Sequence, residues 1–240
     1  MNKTPIEAYK FAVDSKTKID YATNNGVDIG IAPTFLCLDI IKKSSSEKLM
    51  VFAQNVHFDE KGPFTGEISP EMLKSINIDG SIIGHSERRA YNNETSLDCN
   101  KKIKRLLKNG LIPIYCVGET EREYEEGKTK NVIKTQIEEG LKNLSLTEME
   151  KIIVAYEPIW SIGTGKNASS EIAESVCKFI REQIGLIACG SEEKVRVLYG
   201  GSVKPNNIKK YLSQNNIDGA LVGGASLDVN SFSEMIDALI

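Results

Sequence analysis

Short apolar segments that end in glycine or a polar residue recur along the chain, and stretches rich in lysine and glutamate separate them. Most of these segments are apolar at successive positions rather than at alternate ones, which is typical of strands buried on both faces of a parallel sheet. The pattern predicts seven strands, within residues 28–33, 49–55, 80–85, 111–118, 152–158, 195–201 and 219–224.

Charged helical stretches, such as residues 98–110 and 128–144, lie between the predicted strands, and Gly110 and Gly140 stand where their C-caps would fall. The alternation of strand and helix predicts βαβ units and a parallel sheet. Because no proline- or serine-rich linker divides the chain, we expect residues 1–240 to form a single α/β domain.

The chain opens on a predicted amphipathic helix rather than on a strand. Thr4 is placed as its N-cap and Pro5 in its first turn. The apolar residues that recur at helical spacing, and so define its predicted apolar face, are Ile6, Tyr9, Val13 and Ile19.

Two architectures fit this alternation, an open doubly wound sheet and a closed (βα)8 barrel. No GxGxxG motif follows an early strand, which counts against the dinucleotide-binding form of the open sheet. A barrel typically takes ~250 residues, and the 240 residues of this chain fit that length. A barrel has eight strands, but only seven are recognised, so we expect the strand that should precede Thr4 to be missing.

Composition argues against several classes of partner. The net charge of −3 leaves no basic excess, so neither nucleic acid nor an anionic membrane is an expected partner. No apolar segment approaches the length of a membrane span, and the N-terminus lacks the apolar region of a signal peptide. The five cysteines form no CxxC pair, which favours reduced thiols in a cytoplasmic protein.

The segment IIGHSERR, residues 82–89, places His85 at the carboxyl end of a predicted strand, and Ser86 and Glu87 open a short helix after it. A neutral imidazole there could donate a hydrogen bond to a substrate oxygen, with its pKa held down by the helix N-terminus. A histidine satisfied within the core is the alternative, and only the position at the strand end argues against it.

The segment AYEPIWSIGTGK, residues 155–166, places Glu157 as the last residue of another strand, where Pro158 keeps it extended. A carboxylate beside the apolar Ile159 and Trp160 could act as a general base with a raised pKa. The glycines that follow suit a loop that moves and presents backbone N–H groups to an anion. A solvated carboxylate is the alternative, which the following PIW and GTG make less attractive.

Two late strands end in glycine-rich segments, YGGSVKPNN at 199–207 and LVGGAS at 221–226. In barrels, the loops after the last two strands commonly bind phosphate, because glycine lets the backbone approach the ligand. Ser202 adds a hydroxyl donor, and a pair of tight turns without a ligand is the alternative.

All of these segments follow the carboxyl ends of strands, so a barrel would gather them on one face. Together they indicate proton abstraction next to a carbonyl group, on a small phosphorylated substrate. No acidic triad or His/Cys cluster indicates a metal, and no cofactor is expected.

An ordered set of motifs gives the chain a close resemblance to the triosephosphate isomerase family over essentially its whole length. The motifs are AQN at 53–55, GPFTGEIS at 62–69, GHSERR at 84–89, YEPIWSIGTGK at 156–166, YGGSV at 199–203 and LVGGAS at 221–226. The resemblance implies a TIM-type (βα)8 barrel and an isomerase of glycolysis and gluconeogenesis. It would interconvert dihydroxyacetone phosphate and D-glyceraldehyde 3-phosphate through an enediolate, without a cofactor.

The resemblance also implies the roles of individual residues. Glu157 matches the base that moves a proton between two carbons, and His85 matches the electrophile that polarises the carbonyl; this pairing is the family's own pattern. Glu87 and Cys116 match side chains behind the pair, although an ion pair and a buried thiol explain them at least as well. The residues that match phosphate contacts are Gly163, Ser202, Gly223 and Gly224.

A homodimer is implied as well, because the loop HFDEKGPFTGEIS at 57–69 resembles one that inserts into a partner subunit. Thr65 in this loop would lie near the partner's active site. Residues 158–166 match the lid of the family, in which Ser161 stands in place of the usual alanine.

Family members begin with a strand that ends in Asn-x-Lys-Met-Asn, whose lysine is catalytic, and Met1-Asn2 match the end of that motif. We therefore expect the first strand, its asparagine and its lysine to be absent, and the chain to begin at an internal methionine. Lys3 belongs to the approach of the first helix and does not replace the lysine.

Absence of the lysine leaves more than one functional interpretation open. Losing one contact to the charge of the transition state typically costs ~3 kcal/mol or more, and a missing strand leaves two sheet edges unpaired. The leading interpretation is a triosephosphate isomerase. The alternative is a truncated, catalytically impaired form that at most binds a phosphorylated ligand. Another phosphate-binding barrel enzyme is disfavoured by the joint presence of His85 and Glu157.

Overall fold

Seven parallel strands form one sheet at the centre of the protein, in a computed structural model that describes residues 1–162 and 167–240. The strands are β1 (Gly30–Ile31), β2 (Met50–Ala53), β3 (Gly80–Ile83), β4 (Ile112–Val117), β5 (Ile153–Tyr156), β6 (Arg196–Tyr199) and β7 (Gly219–Ala220). Their order in the sheet is their order in the chain. All seven predicted strands are confirmed, but Glu157 follows β5 instead of ending it.

Helices separate the strands and give the TIM-barrel order of an α/β fold. They are α1 (Pro5–Asn24), α2 (Leu38–Ser44), α3 (Pro70–Ser75), α4 (Ser86–Asn92), α5 (Ser96–Lys108), α6 (Glu121–Glu125), α7 (Thr129–Gly140), α8 (Leu146–Met149), α9 (Ser170–Ile187), α10 (Ile208–Leu212) and α11 (Val229–Asp237). Short 3₁₀ helices cover Phe35–Cys37, Ile159–Ser161 and Gly224–Leu227. Within the described residues, no helix is long and apolar enough to cross a membrane.

The sheet is buried on both faces, which explains why its strands are apolar at successive positions. On one face, Ile82, Ile114 and Ala155 pack together in a small cluster. On the other face, neighbours such as Ile83 and Val154 belong to the large core that the helices cover. Parallel strands with helices around them therefore bring all strand carboxyl ends to the same side of the sheet.

Helix α1 begins where the sequence predicts, but of the four residues predicted for its apolar face only Ile19 is buried. Thr4 and Glu7 form a capping box, in which the Thr4 N–H donates to Glu7 Oε2 at 2.7 Å. Ile6, Tyr9 and Val13 are exposed, with 82%, 51% and 47% of their surface accessible. The buried face consists of Ala8, Phe11, Ala12, Ser15, Ile19 and Ala22. Small residues on that face let α1 pack closely against α2 and α11.

The two predicted cap glycines differ in their roles. Gly110 has a φ of +74° just beyond α5, so it is the expected left-handed residue after a helix. Gly140 is the last residue of α7, and Leu141 is the C-cap, so the prediction of Gly140 as the C-cap was wrong. A Cβ on Gly140 would lie 2.2 Å from the hydroxyl oxygen of Tyr115, and this close packing requires glycine there.

Strands β1 and β7 each pair with a single neighbour in the part of the chain that the structure describes, so the sheet has two unpaired edges, as expected. Outside the sheet, α1 contacts both α2 and α11. Lys3 has a φ of 65°, and its Nζ lies 5.0 Å from the ring centroid of Phe11 on α1. Lys3 thus belongs to the approach of α1, as predicted.

Candidate active site

His85 and Glu157 meet at the carboxyl ends of the strands. His85 is the N-cap of α4, shortly after β3, and Glu157 immediately follows β5. His85 Nε2 lies 2.9 Å from Glu157 Oε1, which is hydrogen-bonding distance. Two side chains from strands on either side of β4 therefore form one acid–base pair.

The hydrogen bonds of His85 fix its neutral tautomer. Its Nδ1 accepts a hydrogen bond from the backbone N–H of Glu87 at 3.3 Å. A ring nitrogen that accepts a hydrogen bond carries no proton, so in the neutral ring the proton is on Nε2. Nε2, the nitrogen that faces Glu157, is then the hydrogen-bond donor of the pair.

Glu157 is held by both of its carboxylate oxygens. Only 2% of the residue is exposed. While Oε1 faces His85, Oε2 accepts the backbone N–H of Ser86, at the start of α4, at 3.0 Å. The Glu157 backbone N–H donates to the Val117 carbonyl at 2.8 Å. Each carboxylate oxygen of Glu157 therefore has one hydrogen-bond donor within the chain and a lone pair left over for a proton from another molecule.

The pKa of His85 is raised above its ordinary value. Burial of the ring lowers the pKa, but the hydrogen bond and the charge of Glu157 raise it more, with help from Glu87 and Glu94. The expectation that the helix N-terminus holds this pKa down was wrong, because the acidic side chains around the ring, Glu157 first among them, together outweigh the effect of burial. The His85–Glu157 pair therefore stabilises the folded protein fully at pH values below the ordinary histidine pKa. This contribution to stability is lost as the pH rises through the raised pKa of His85 in the folded protein.

Cys116 and Glu87 flank the pair differently. Cys116 is fully buried on β4, and burial, followed by the charge of Glu157, raises the pKa of its thiol well above the ordinary value. This thiol therefore stays protonated. Glu87 is exposed, and its Oε2 lies 3.9 Å from His85 Nδ1.

The loop after β6 is shaped by the packing of its glycines. A Cβ on Gly200 would lie 3.0 Å from Glu157 Cγ, and one on Gly201 would lie 2.2 Å from the Tyr199 hydroxyl. Ser202 is half-buried, and its carbonyl accepts a hydrogen bond from the Asn207 side chain at 3.1 Å. Gly200 therefore makes room for the predicted base.

The loop after β7 has glycines that packing within the chain does not require. Gly223 and Gly224 are exposed, and a Cβ on either would meet no atom within 4 Å. A short 3₁₀ helix begins at Gly224, and the Gly223 carbonyl accepts the Ser226 N–H at 2.9 Å. Open space beside an accessible backbone suits the approach of an anion.

The remaining predicted residues are Gly163, in the predicted lid, and Thr65, in the loop at 57–69. Gly163 belongs to residues 163–166 of the predicted lid, and these four residues lie outside the described part of the chain. Thr65 is exposed in the loop at 57–69, next to the exposed ring of Phe64. Among the residues that the structure describes, no group of three or more His, Cys, Asp or Glu side chains could hold a metal ion.

Comparison with known proteins identifies the family. The family model described as "Triosephosphate isomerase" matches residues 1–239. The chain belongs to the triosephosphate isomerase family. It is 50% identical over 240 residues to the triosephosphate isomerase of Mycoplasma mobile, covering 98% of this chain and 95% of that protein. The Clostridium perfringens protein is 47% identical, covering 99% and 95%, and the Carboxydothermus hydrogenoformans protein is 46% identical, covering 100% and 96%.

Glu119 is a residue of this triosephosphate isomerase site that the sequence reasoning missed. It is fully buried, and burial raises the pKa of its carboxyl group. Its Oε1 accepts hydrogen bonds from the Tyr156 hydroxyl at 3.0 Å and from Trp160 Nε1 at 2.9 Å. The indole N–H of Trp160 is therefore bonded to Glu119. The sequence did contain a signal for Glu119, because this carboxylate comes shortly after β4, as Glu157 comes directly after β5.

A buried ionic network behind the site was also missed. Lys102 Nζ lies 2.6 Å from Glu94 Oε1 and 2.8 Å from Asn55 Oδ1, and Arg88 Nε lies 3.0 Å from Glu94 Oε2. Lys102 and Glu94 are almost completely buried. The sequence shows Lys102 only as one of several lysines on a charged helix, so no local signal separates it from the exposed ones.

Replacing Glu87 with glutamine is expected to lower the pKa of His85, because the Glu87 carboxylate is one of the charges that favour the imidazolium form. The titration of the ring resonances by NMR would measure this shift. The chain has two histidines, so His57 provides an internal reference. Glu125→Gln, on the exposed side of α6, is the control. If the pKa of His85 stays unchanged or rises in Glu87→Gln, the Glu87 carboxylate does not contribute to raising it.

Proposed function

We propose that this protein is an intramolecular aldose–ketose isomerase that interconverts dihydroxyacetone phosphate and D-glyceraldehyde 3-phosphate. The observation that carries the proposal is the 2.9 Å approach of His85 Nε2 to Glu157 Oε1 at the carboxyl edge of the sheet. A carboxylate base beside a neutral Nε2–H donor is the arrangement needed to move a proton next to a carbonyl.

In the proposed reaction, Glu157 takes a proton from the carbon next to the substrate carbonyl. His85 donates its Nε2–H to the carbonyl oxygen, so that negative charge on the developing enediolate is stabilised. Glu157 then returns the proton to the neighbouring carbon, and His85 moves a proton between the two oxygens. The hydrogen bond from Glu87 N–H to Nδ1 supports this role, because it keeps the proton on Nε2.

The proposed phosphate site lies in the loops after β6 and β7, with Gly163 as a further contact by resemblance. The Ser202 hydroxyl and the backbone N–H groups of Gly223 and Gly224 would hold the phosphate oxygens. The open space at both glycines supports this part of the proposal. Cys116 would remain a neutral thiol behind the base, and Glu87 would act through His85.

Isomerisation of glyceraldehyde 3-phosphate by the purified chain tests the proposal, in deuterated water so that proton exchange at carbon is recorded as well. A Glu157→Gln chain, prepared identically, measures contaminating host enzyme. We expect turnover far above this blank. Binding of a phosphorylated triose without turnover or exchange would support the impaired, ligand-binding alternative. Turnover of other phosphorylated sugars only would support a different barrel enzyme.

The proposal extends to a homodimer that acts in glycolysis and gluconeogenesis in the cytoplasm. All five cysteines are free thiols, which agrees with a reducing compartment. Phe64, beside Thr65, exposes 41% of its surface, and Leu36 exposes 82%. Apolar side chains at such positions suit an interface between subunits.

Replacing Phe64 with aspartate is expected to weaken the dimer, because a charge would be buried in the interface that its loop forms. Sedimentation should give twice the mass of the 26.5 kDa chain for the parent protein and a lower average mass for the variant. Leu186→Asp is the control, because Leu186 is 79% exposed on α9, which the proposed interface does not include. Equal dissociation in both variants, or a monomeric parent protein, would refute the proposed interface.

A further inference from the structure

The side chain of Arg89 joins two backbone segments behind the catalytic pair. Its Nε donates to the Gly84 carbonyl at 2.8 Å, and its Nη2 donates to the Cys116 carbonyl at 3.1 Å. Further hydrogen bonds run from Nη1 to the Ser96 hydroxyl at 3.1 Å and from Nη2 to the Tyr115 hydroxyl at 3.3 Å. One planar cation therefore contacts α5, β4 and the turn that carries His85.

All four acceptors of this guanidinium are neutral. Among the residues that the structure describes, no carboxylate lies within 4 Å of Arg89, whereas its neighbour Arg88 pairs with Glu94. A partly buried cation without a counter-ion is costly, and a structural role alone is filled more easily by an ion pair or an apolar side chain. The positions of the four acceptors indicate a role for Arg89 in placing the catalytic pair.

One carbonyl acceptor, that of Gly84, belongs to the turn that carries His85, and the other, that of Cys116, belongs to β4, which pairs with the segment that carries Glu157. Gly84 precedes His85 and has a φ of +70°, and a Cβ there would lie 2.9 Å from Arg89 Nη2. The Cys116 carbonyl is followed by that of Val117, which accepts the Glu157 N–H at 2.8 Å. The distance between His85 Nε2 and Glu157 Oε1 therefore depends on how the turn at Gly84 is held against β4, and Arg89 joins these two segments.

We propose that Arg89 is a positioning residue, which sets the approach of His85 to Glu157 by holding the carbonyls of Gly84 and Cys116. The proposal rests on the proposed isomerase function for its kinetic consequence, but not for its structural one. Arginine is needed because its rigid fork reaches two acceptors in one plane. Lysine carries the same charge but presents one compact group, and it cannot hold both carbonyls in this geometry.

Arg89→Lys and Arg89→Ala test this proposal by kinetics. We expect each to lower kcat at least tenfold while KM changes less than threefold, because the proposed phosphate contacts lie after β6 and β7 and are untouched. Added guanidinium ion, at concentrations well below those that unfold the parent protein, should restore at least a fifth of the lost kcat in Arg89→Ala. It should not restore kcat in Arg89→Lys, whose side chain fills the site.

A second measurement needs no turnover. The ring ¹⁵N resonances of His85 report its hydrogen bond to Glu157, and they should shift in both variants and return when guanidinium is added to Arg89→Ala. Arg122→Ala is the control, because Arg122 is exposed on α6 and its guanidinium pairs with Glu126 on the next helical turn, at 2.8 Å. It should show neither a kinetic change nor rescue.

The outcomes separate this inference from the proposed function. An inactive parent chain whose His85 resonances still respond to Arg89 and to guanidinium would refute the isomerase proposal and support the positioning role. Folded variants with unchanged kcat and unmoved resonances would overturn it. Loss of kcat without rescue and without a resonance shift would overturn it as well, since Arg89 would then act on stability alone. If Arg89→Ala does not fold, the ring ¹⁵N resonances of His85 in Arg89→Lys decide between the two outcomes: shifted resonances support the positioning role, and unmoved ones overturn it.

Discussion

Replacing Glu157 with glutamine is expected to lower kcat for triose phosphate isomerisation by about 10³-fold, within the range that general bases contribute. An amide cannot take the proton from carbon, whereas its oxygen can still accept the Ser86 N–H that now binds Oε2 at 3.0 Å. The fold should therefore survive. Steady-state rates in both directions, on protein free of host enzyme, measure the loss, and thermal unfolding checks the fold.

Two further variants make this result specific. Glu157→Asp keeps a carboxylate but withdraws it by one methylene group, and a misplacement of about 1 Å can cost about 10²-fold in rate. Glu138→Gln removes an exposed carboxylate from α7 and should leave kcat unchanged. Glu157 is not the base if its glutamine variant, produced in a host that lacks the enzyme, retains more than a tenth of the parent rate.

A methyl group on Gly118 is expected to be among the most damaging single changes in this chain. A Cβ there would lie 1.8 Å from the carbonyl oxygen of Glu157 and 2.7 Å from its carbonyl carbon. Backbone atoms at the end of β5 cannot move aside as a flexible side chain does. We expect Gly118→Ala to lower the free energy of unfolding by ~3 kcal/mol or more, and to displace the base. Urea unfolding and kcat measure the two effects.

Gly185→Ala is the matched control for this prediction. Gly185 lies within α9, and the atom nearest to its added Cβ would be Glu192 Oε2, at 2.9 Å, the far end of a flexible side chain. Because alanine favours a helix over glycine by about 1 kcal/mol, this variant should be neutral or slightly stabilised. The steric argument fails if the two alanine variants have similar unfolding midpoints.

The strands and the catalytic pair were predictable from the sequence because each rests on a local pattern. Segments such as 111–118 are apolar at successive positions, which is typical of a sheet covered on both faces. His85 and Glu157 both follow such segments, and a parallel sheet brings the ends together. The 2.9 Å contact between them could not be predicted, because it depends on how the β3–α4 turn is held.

Other features depend on neighbours that the sequence does not display. The apolar spacing of Ile6, Tyr9 and Val13 indicated a buried face, but the helices beside α1 select its small residues instead. The raised pKa of His85 follows from the charge of Glu157, which lies 72 positions away in the chain. Gly140 shows the same limit, since only the packed structure places the Tyr115 hydroxyl against it.

In the part of the chain that the structure describes, the sheet has two unpaired edges, and these edges predict which strands open first. Amide hydrogens of β1 and β7 should exchange with solvent through small fluctuations, whereas those of β3, β4 and β5, paired on both sides, should exchange only in much larger openings. His85 and Glu157 follow two of the slowly exchanging strands, and Gly223 and Gly224 follow one of the fast ones. The catalytic pair would then stay assembled while the proposed phosphate cradle frays and re-forms around each ligand.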